Sequence, residues 1–296
     1  MVIIRKNNNM IGRVIKGIGG FYYVSDGKTS IMGKARGNLK RNKDLIYVGD
    51  IVDYDIDSNN ECIINEVVKR ENFLARPPVS NLEMLVVVYA AANPNVNFPV
   101  IDKLIAACEQ KNIDVVICIN KKDLVDEDTL NSYIDIYSNL YPTIAINGNT
   151  GEGIDNILKL IKGKNVALAG PSGVGKSTIT NWIVGSNSAE TGTISDKTQR
   201  GKHTTRHVEI FELDDGTNLY DTPGFTSLDL IIDDYRDIKD LFPEFRDRKG
   251  ECKYADCMHI NEPECAVKDD LSNNIIKQSR YDSYLLMIEE VKRWQK

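Results

Sequence analysis

The segment Gly170-Pro-Ser-Gly-Val-Gly-Lys176-Ser177 indicates the fold of the central part of the chain. It has the form G-x-x-x-x-G-K-[ST], and it lies between a predicted strand (165–169) and a predicted helix (176–184). Glycines let such a loop wrap phosphate groups, and the loop amides and the helix N-terminus attract their negative charge. We predict a P-loop in which Lys176 reaches the β- and γ-phosphates and Ser177 binds Mg²⁺. The nucleotide-binding residues predicted here are Gly170, Pro171, Ser172, Gly173, Val174, Gly175, Lys176, Ser177 and Thr178.

The sequence around this loop alternates between strand and helix patterns. Residues 82–90 and 114–119 are continuous apolar runs, which are typical of parallel strands covered on both faces. Further strands are predicted at 143–146 and 165–169, helices at 99–111, 128–140 and 154–161, and a hairpin from 207–213 and 218–221. The pattern predicts a doubly wound α/β domain over residues 79–231.

A second motif, Asn120-Lys-Lys-Asp123, closes the strand at 114–119. It has the N-K-x-D form that reads guanine. The Asp123 carboxylate can accept hydrogen bonds from guanine N1–H and the 2-amino group, which adenine does not offer as a pair. Asn120 can bond the base and brace the loop, and the stem of Lys121 can lie along the ring. The motif predicts a preference for GTP over ATP.

A third motif, Asp221-Thr-Pro-Gly224, ends the predicted hairpin and has the D-x-x-G form. Asp221 would hold Mg²⁺ through water, and the Gly224 amide would sense the γ-phosphate. A simple β-turn is the alternative interpretation, but the position after a P-loop and a hairpin favours the functional one.

The polar segment 192–206 is predicted to be a switch loop, in which either Thr204 or Thr205 would ligate Mg²⁺.

The order of these motifs is unusual. The N-K-x-D motif begins 56 residues before Lys176, whereas in ordinary GTPases it follows the P-loop and the D-x-x-G motif. A sheet accepts this order if the strand positions persist and only the connections differ, so the sequence predicts a circularly permuted GTPase. The loop Asn147-Gly-Asn-Thr-Gly-Glu-Gly153 stands where a Ser-Ala-type loop would complete the guanine pocket. It departs from that pattern, so no residue roles are assigned there.

Residues 1–71 form short alternating runs separated by turn residues, with strands predicted at 11–16, 21–25, 29–34, 50–55 and 63–69. Five short strands predict a small barrel of the oligonucleotide-binding (OB) type. Its charge is uneven: residues 1–43 carry ten Lys/Arg and one acid, and residues 44–71 carry two Lys/Arg and eight acids. This basic segment predicts contact with RNA, and a merely solvated face is the alternative. A stiff linker is predicted at 72–78, where two prolines adjoin.

The tail, residues 232–296, carries Cys252-x₄-Cys257-x-His259-x₅-Cys265 and a predicted helix at 272–296. Three thiols and one imidazole form a closed tetrahedral zinc set without an open position, which predicts one structural Zn²⁺. The other cysteines, Cys62, Cys108 and Cys118, lie in apolar runs and are predicted to be core residues. The predicted domains are an OB domain (1–71), the linker (72–78), the permuted GTPase domain (79–231) and an α-helical zinc domain (232–296).

Composition bounds the remaining possibilities. The chain has 296 residues with 42% hydrophobic residues, enough for a sizeable core, and a net charge of −6. Its longest apolar run, 84–92, is far shorter than the ~20 residues that span a membrane, and the first residues lack the pattern of a secretion signal. We therefore expect a cytoplasmic protein without disulfides.

With these motifs the chain resembles the ribosome small-subunit-dependent GTPase A (RsgA) family. The motifs that carry the resemblance are 120–123, 170–177, 201–205, 221–224 and the Cys252/Cys257/His259/Cys265 set. The resemblance implies GTP hydrolysis stimulated by the 30S ribosomal subunit in late 30S maturation, with the OB and zinc domains contacting 16S rRNA. GTP/GDP, Mg²⁺ and one Zn²⁺ are the expected ligands. No membrane or DNA partner is expected, and a monomer is the default.

The residue that usually orients the attacking water is replaced in this sequence. Many GTPases place a Gln directly after D-x-x-G, and here that residue is Phe225, which cannot orient water. The family resemblance implies that His203 of the switch loop takes this role, and contact with phosphate or rRNA alone is the other interpretation. Catalytic candidates are therefore His203, Lys176, Thr204 and Thr205. A GTP-sensing RNA scaffold is the alternative function, and a DNA- or tRNA-acting GTPase is a third.

Overall fold

The computed structural model describes residues 10–37, 39, 45–191, 208–222, 225, 228 and 230–294. The candidate residues His203, Thr204, Thr205 and Gly224 lie outside this part. The chain divides into two compact units. The first comprises Met1–Met84, Ile154–Leu168 and Ser177–Phe225, and the second comprises Leu85–Gly153, Ala169–Lys176 and Thr226–Lys296.

The described part contains strands and helices in the alternation that the sequence predicts. The strands are β1 (Met10–Ile18), β2 (Phe21–Ser25), β3 (Ser30–Ala35), β4 (Ile51–Ile56), β5 (Cys62–Val67), β6 (Phe73–Ala75), β7 (Pro78–Ser80), β8 (Met84–Ala90), β9 (Asp114–Asn120), β10 (Thr143–Ala145), β11 (Asn165–Ala169), β12 (Glu209–Glu212) and β13 (Asn218–Asp221). The α-helices are α1 (Phe98–Gln110), α2 (Glu127–Tyr137), α3 (Ile154–Ile161), α4 (Lys176–Thr191), α5 (Pro243–Arg246), α6 (Ala266–Ser272) and α7 (Gln278–Trp294). Short 3₁₀ helices occupy Lys122–Leu124 and Tyr235–Leu241.

Five strands of the first unit close into a barrel. β1 pairs with β2 along its second half and with β4 along its first half, and β3 pairs with β2 and, in parallel, with β5. β4 and β5 complete the circuit. Val14, Val24, Val52 and Ile64 are fully buried in its interior, as the alternating sequence requires. The predicted five-stranded N-terminal barrel is confirmed.

The segment predicted as a linker is ordered. β6 and β7 form a two-stranded antiparallel hairpin in which Ala75 lies opposite Pro78. Pro78 has no N–H to donate, so it is tolerated here at the first position of a short strand. The segment 72–78, predicted to be a stiff linker, thus contains β6 and the first residue of β7, and the domain boundary near it stays a prediction.

The first unit also contains the strands that flank the predicted switch region. β13 runs parallel to β11 and antiparallel to β12, and β12 pairs with barrel strand β1 where Glu209 lies opposite Lys16. The Lys16 ammonium lies 3.2 Å from the Glu209 carboxylate. Arg13 is buried and donates to the hydroxyl of Tyr220 at 3.3 Å. These contacts join the barrel to the β12–β13 hairpin.

The second unit contains strands β10, β9 and β8 in that order, and β9 and β10 are parallel. All seven residues of β8 are buried, which explains its continuous apolar sequence. Helix α2 begins where the Asp126 side chain accepts a hydrogen bond from the Thr129 amide at 2.8 Å. None of the helices in the described part is both long enough and apolar enough to cross a membrane.

A buried ion-pair network holds α7 in the second unit. Arg280 is 1% exposed; it donates to Asp102 of α1 at 2.6 Å and to Glu244 of α5 at 2.8 Å. The Tyr137 hydroxyl donates to the same Asp102 oxygen at 3.0 Å. Because a buried guanidinium needs partners, these contacts fix α7 relative to α1 and α5. The predicted helix at 272–296 is shorter than expected, since α7 begins at Gln278.

Candidate nucleotide and zinc sites

The P-loop of the second unit requires glycine at its first position. Gly170 has φ of +148°, and a Cβ there would lie 1.9 Å from the Val88 carbonyl oxygen of β8. The Lys176 ammonium donates to the carbonyls of Gly170 at 2.7 Å and Pro171 at 2.9 Å. Burial lowers the pKa of Lys176 because it disfavours the charged form. A bound phosphate would offset that cost, which fits the predicted role of this lysine.

Asn120 joins the base-reading motif to the P-loop. Its side chain is 2% exposed and donates to the Val174 carbonyl at 2.7 Å. The amide oxygen accepts from the backbone N–H of Lys121 at 2.7 Å and of Gly148 at 2.9 Å. A Cβ at Gly175, which has φ of +97°, would lie 2.2 Å from the Asn120 nitrogen. Asn120 therefore braces three loops, one of the two roles expected for it.

Lys121 and Asp123 project from the loop that Asn120 braces. Lys121 adopts a left-handed backbone conformation, and its ammonium donates to the Gly173 carbonyl at 2.9 Å and to the Asn93 carbonyl. The lysine thereby fixes the P-loop against the segment after β8. Asp123 lies in the following 3₁₀ helix and is exposed, so its carboxylate can receive a base. Its role in guanine selection stays a prediction.

Sequence reasoning missed the part that Gly148 takes in this site. The loop at 147–153 is stabilised by the Asn147 side chain, which accepts from the Asn149 amide at 3.0 Å, and by an ion pair of 2.6 Å between Lys122 and Glu152. A Cβ at position 148 would lie 3.0 Å from the Asn120 amide oxygen, so the close approach favours glycine. The Asn-Gly pair, a turn signal, was the available clue.

The remaining predicted nucleotide ligands belong to the first unit. Ser177 and Thr178 occupy the first turn of α4, directly after Lys176, and Asp221 is the last residue of β13. These positions follow the ends of neighbouring parallel strands, β11 and β13. Phe225 is fully buried, which shows a packing role for the residue that replaces the usual Gln. The roles of His203, Thr204, Thr205 and Gly224 stay predictions.

The four predicted zinc ligands come together in the second unit. The ligand atoms of Cys252, Cys257, His259 and Cys265 lie within 4.8 Å of one another. The Sγ atoms of Cys252 and Cys265 are 3.9 Å apart, and His259 Nδ1 lies 3.3 Å from Cys265 Sγ. A tetrahedral ion with Zn–S bonds of about 2.3 Å places neighbouring sulfurs about 3.8 Å apart. The cluster therefore fits Zn²⁺ by geometry and by donor chemistry.

Packing around this cluster explains how the chain holds it. The hydroxyls of Tyr281 and Tyr284 in α7 donate to the carbonyls of His259 and Met258, each at 2.6 Å. The ring of Phe245 meets the His259 imidazole edge to face at 5.7 Å. These contacts attach the short ligand loop to α7, so a metal there would stabilise the C-terminal segment as a whole.

Taken together, a P-loop that follows the N-K-x-D strand in the chain, with both motifs joined through Asn120, defines a circularly permuted GTPase. Comparison with known protein families supports this class. The sequence model of the RsgA GTPase family matches residues 67–231, and the sequence model of the RsgA N-terminal domain matches residues 11–64. The chain therefore belongs to the RsgA family of GTPases.

Individual relatives extend this likeness over the whole chain. The small ribosomal subunit biogenesis GTPase RsgA of Agathobacter rectalis is 41% identical over 301 residues, covering 97% of this chain and 100% of that protein. The crystal structure of YjeQ from Thermotoga maritima superimposes with a TM-score of 0.82 at 34% identity, covering 95% of this chain and 98% of that one. The structure of YloQ, described as a circularly permuted GTPase, gives a TM-score of 0.81 at 30% identity, with 98% of each chain covered.

Proposed function

We propose that this protein hydrolyses GTP during late maturation of the small ribosomal subunit and that the 30S subunit stimulates the hydrolysis. GTP binding is supported above all by the hydrogen bonds of the Asn120 side chain. They connect the P-loop, the N-K-x-D loop and the loop at 147–153. The ribosomal part is supported by relatives that are named small ribosomal subunit biogenesis GTPases. Such a factor acts in the cytoplasm, with 16S rRNA as its expected contact and a monomer as the expected state.

The chemistry of the side chains indicates which residues would bind the phosphates, the base and Mg²⁺. The P-loop amides and Lys176 hold the phosphates, and Asp123 reads the base. Ser177, Asp221 and one of Thr204 and Thr205 would hold Mg²⁺, which neutralises charge that develops on the phosphates. Lys176, half-buried and of lowered pKa, would gain a compensating anion when GTP binds.

Orientation of the attacking water is assigned to His203. A neutral imidazole can accept a proton or a hydrogen bond near pH 7, whereas the buried Phe225 cannot. His203→Ala should keep GTP affinity and lose most of the 30S-stimulated turnover, with His207→Ala as the control in the same segment. Full turnover in His203→Ala would remove this residue from the mechanism.

The buried Phe225 also supports a second candidate, a GTP-sensing rRNA scaffold in which hydrolysis is secondary. Phosphate release, measured with and without 30S subunits, separates the two functions. We expect slow release from the protein alone and a strong increase with 30S. Equal rates, together with nucleotide-dependent 30S binding, would favour the scaffold.

We also propose the domain organisation that the motifs indicate. It comprises an OB domain (1–71), a connecting segment (72–78), the permuted GTPase domain (79–231) and a zinc domain (232–296). The first family match ends at residue 64 and the second begins at 67, a few residues before the proposed end of the OB domain at 71. A separately expressed 1–71 fragment that folds would support it, and limited proteolysis of the full chain would locate the exposed connection.

A further inference from the structure

We infer that Lys122 and Glu152 are positioning residues for the base reader Asp123, and that their ion pair slows the release of a guanine nucleotide. The inference rests on the proposed function, since it concerns the guanine pocket of that function. Lys122 occupies the variable position of the N-K-x-D motif, and Glu152 belongs to the 147–153 loop, whose sequence departs from the Ser-Ala pattern. The two side chains therefore come from the two loops that are expected to enclose the base.

The carboxylate of Asp123 depends on its neighbours for its direction. It is exposed, and it makes no hydrogen bond or ion pair with any other residue that the structure describes. Asp123 lies in the middle of the 3₁₀ helix Lys122–Leu124, a single turn in which the Leu124 N–H donates to the Lys121 carbonyl at 3.0 Å. So short a turn has little stability of its own. Contacts outside the turn must therefore hold the base reader in place.

Lys122 attaches this turn to the neighbouring loop. Its backbone N–H donates to the Ile146 carbonyl at 3.2 Å, and its ammonium lies 2.6 Å from the Glu152 carboxylate. The Lys122 side chain is only 26% exposed, so its stem lies against the protein while its charge reaches Glu152. The turn that carries Asp123 is thus held through both the backbone and the side chain of the residue before it.

The 147–153 loop is well supported and can serve as an anchor for this pair. Each backbone N–H from residue 147 to residue 151 has an acceptor within the loop or on Asn120, so the loop has little freedom to rearrange. The acceptors are the Glu152 carbonyl for Asn147 (3.0 Å), the Asn120 side chain for Gly148 (2.9 Å), the Asn147 side chain for Asn149 and Thr150 (3.0 and 3.4 Å) and the Asn147 carbonyl for Gly151 (2.9 Å). Residues Asn147 and Glu152 also form an antiparallel bridge. The backbone of Glu152 is therefore fixed where its carboxylate meets Lys122.

Asn120 and the ion pair join the two loops at different depths. The Asn120 amide oxygen accepts from the Gly148 N–H at 2.9 Å in the buried part of the site, and the half-exposed pair of Lys122 and Glu152 lies at the surface. Loss of the pair frees the outer edge of the pocket, where Asp123 lies. A bound base leaves through an opening of these loops, so the pair acts on the rate of release rather than on the rate of association.

The test uses the full-length protein loaded with a fluorescent GDP analogue, whose release is followed after excess GDP is added. Lys122→Met and Glu152→Gln should each speed release about 1.5- to 5-fold, the range for loss of an exposed ion pair. The double variant should release no faster than the faster single variant, because both changes break the same pair. Lys103→Met is the matched control, since Lys103 forms a pair of the same 2.6 Å with Glu290 that joins α1 to α7.

Further variants show whether charge is the property that matters. Lys122→Arg keeps the cation and should keep slow release. Exchange of the two charges, Lys122→Glu together with Glu152→Lys, should bring release back to within about twofold of the wild-type rate. A Lys122 that bound the nucleotide directly would give the opposite sign at its partner: Glu152→Gln would free the ammonium and slow release.

Base selectivity separates positioning of Asp123 from a general loosening of the loops. Inosine diphosphate (IDP) lacks the 2-amino group, one of the two donors that the Asp123 carboxylate accepts from. A displaced carboxylate loses part of its preference for that group, so Lys122→Met should lower the ratio of the GDP affinity to the IDP affinity. Lys103→Met should leave the ratio at its wild-type value.

Four results would overturn the inference: equal release rates for Lys122→Met and Lys103→Met, slower release from Glu152→Gln, additive effects in the double variant, or an unchanged ratio of GDP to IDP affinity in Lys122→Met. Thermal unfolding of each variant shows that the fold is retained. Failure of the proposed function has a different signature, namely a wild-type protein that binds ADP as tightly as GDP.

Discussion

Replacing Asn120 with alanine tests whether one buried amide holds the nucleotide-binding loops in place. The side chain donates to the Val174 carbonyl at 2.7 Å and accepts from the amides of Lys121 at 2.7 Å and Gly148 at 2.9 Å. With alanine at 120, three backbone groups of the P-loop, the N-K-x-D loop and the 147–153 loop lose this partner. Because the side chain is 2% exposed, water reaches these groups only if the loops separate.

The magnitude follows from the number of bonds. A hydrogen bond contributes about 1 kcal/mol net, so the three together are worth about 3 kcal/mol. If all of this free energy is lost from the conformation that binds nucleotide, GDP affinity drops by about 150-fold. Partial relaxation of the loops around water reduces the loss, and we take about 10-fold as its lower limit.

Titration of a fluorescent GDP analogue, followed by anisotropy, measures the effect, and Asn131→Ala is the control because Asn131 is exposed on α2. Asn120→Asp provides a second variant of nearly the same shape. It keeps the acceptor oxygen but points a carboxylate oxygen at the Val174 carbonyl, so it should also bind GDP weakly. If the GDP affinity of Asn120→Ala lies within threefold of that of Asn131→Ala, the Asn120 amide does not hold the nucleotide-binding loops in place.

Three further outcomes are expected. Asp123→Asn should exchange guanine for xanthine preference, since an amide can donate to the xanthine O2; competition of GDP and XDP measures this, and unchanged selectivity contradicts the assignment. Cys265→Ser should lower the zinc content from one ion per chain to almost none and lower the melting temperature, whereas Glu264→Gln should change neither; metal analysis decides. Arg280→Met should reduce the free energy of unfolding by about 3–5 kcal/mol, because it leaves buried Asp102 without its cation; a loss under about 1 kcal/mol in denaturant titrations contradicts that.

Elements with a strong local signal were predictable from the sequence. The bounds of α3, β11 and β13 agree with the prediction to the residue: α3 has apolar residues at helical spacing, β11 is an apolar run that ends before a glycine, and β13 ends at the first residue of the D-x-x-G motif. The 3₁₀ helix Tyr235–Leu241 and helix α6 were not predicted. Both are short and depend on the cluster around Phe242, Phe245 and Tyr284, which forms only in the folded chain.

In the candidate sites, too, some features could be predicted from the sequence and others could not. Ligand spacing was sufficient to find the zinc set, because its four donors lie within 14 residues and the loop closes on itself. The role of Gly148 could not be predicted from spacing, since it depends on an approach of 3.0 Å to a residue 28 positions earlier. The contact between Lys34 and the Phe21 ring on the barrel also needed the structure: the two residues belong to different strands, and only the register of β2 with β3 brings them together.

Side-chain contacts and one close backbone approach hold the nucleotide loops together in this permuted chain. With the N-K-x-D strand placed before the P-loop in the chain, Gly170 lies 50 positions after Asn120. No short connection can fix them, so side chains must do so: Asn120 bonds Val174, and Lys121 bonds Gly173. The backbone contributes at Gly170, where the missing Cβ lets the P-loop lie directly against β8. The geometry of the base-reading loop in this chain therefore depends on these contacts, which is why truncating a single amide, Asn120, is the sharpest test.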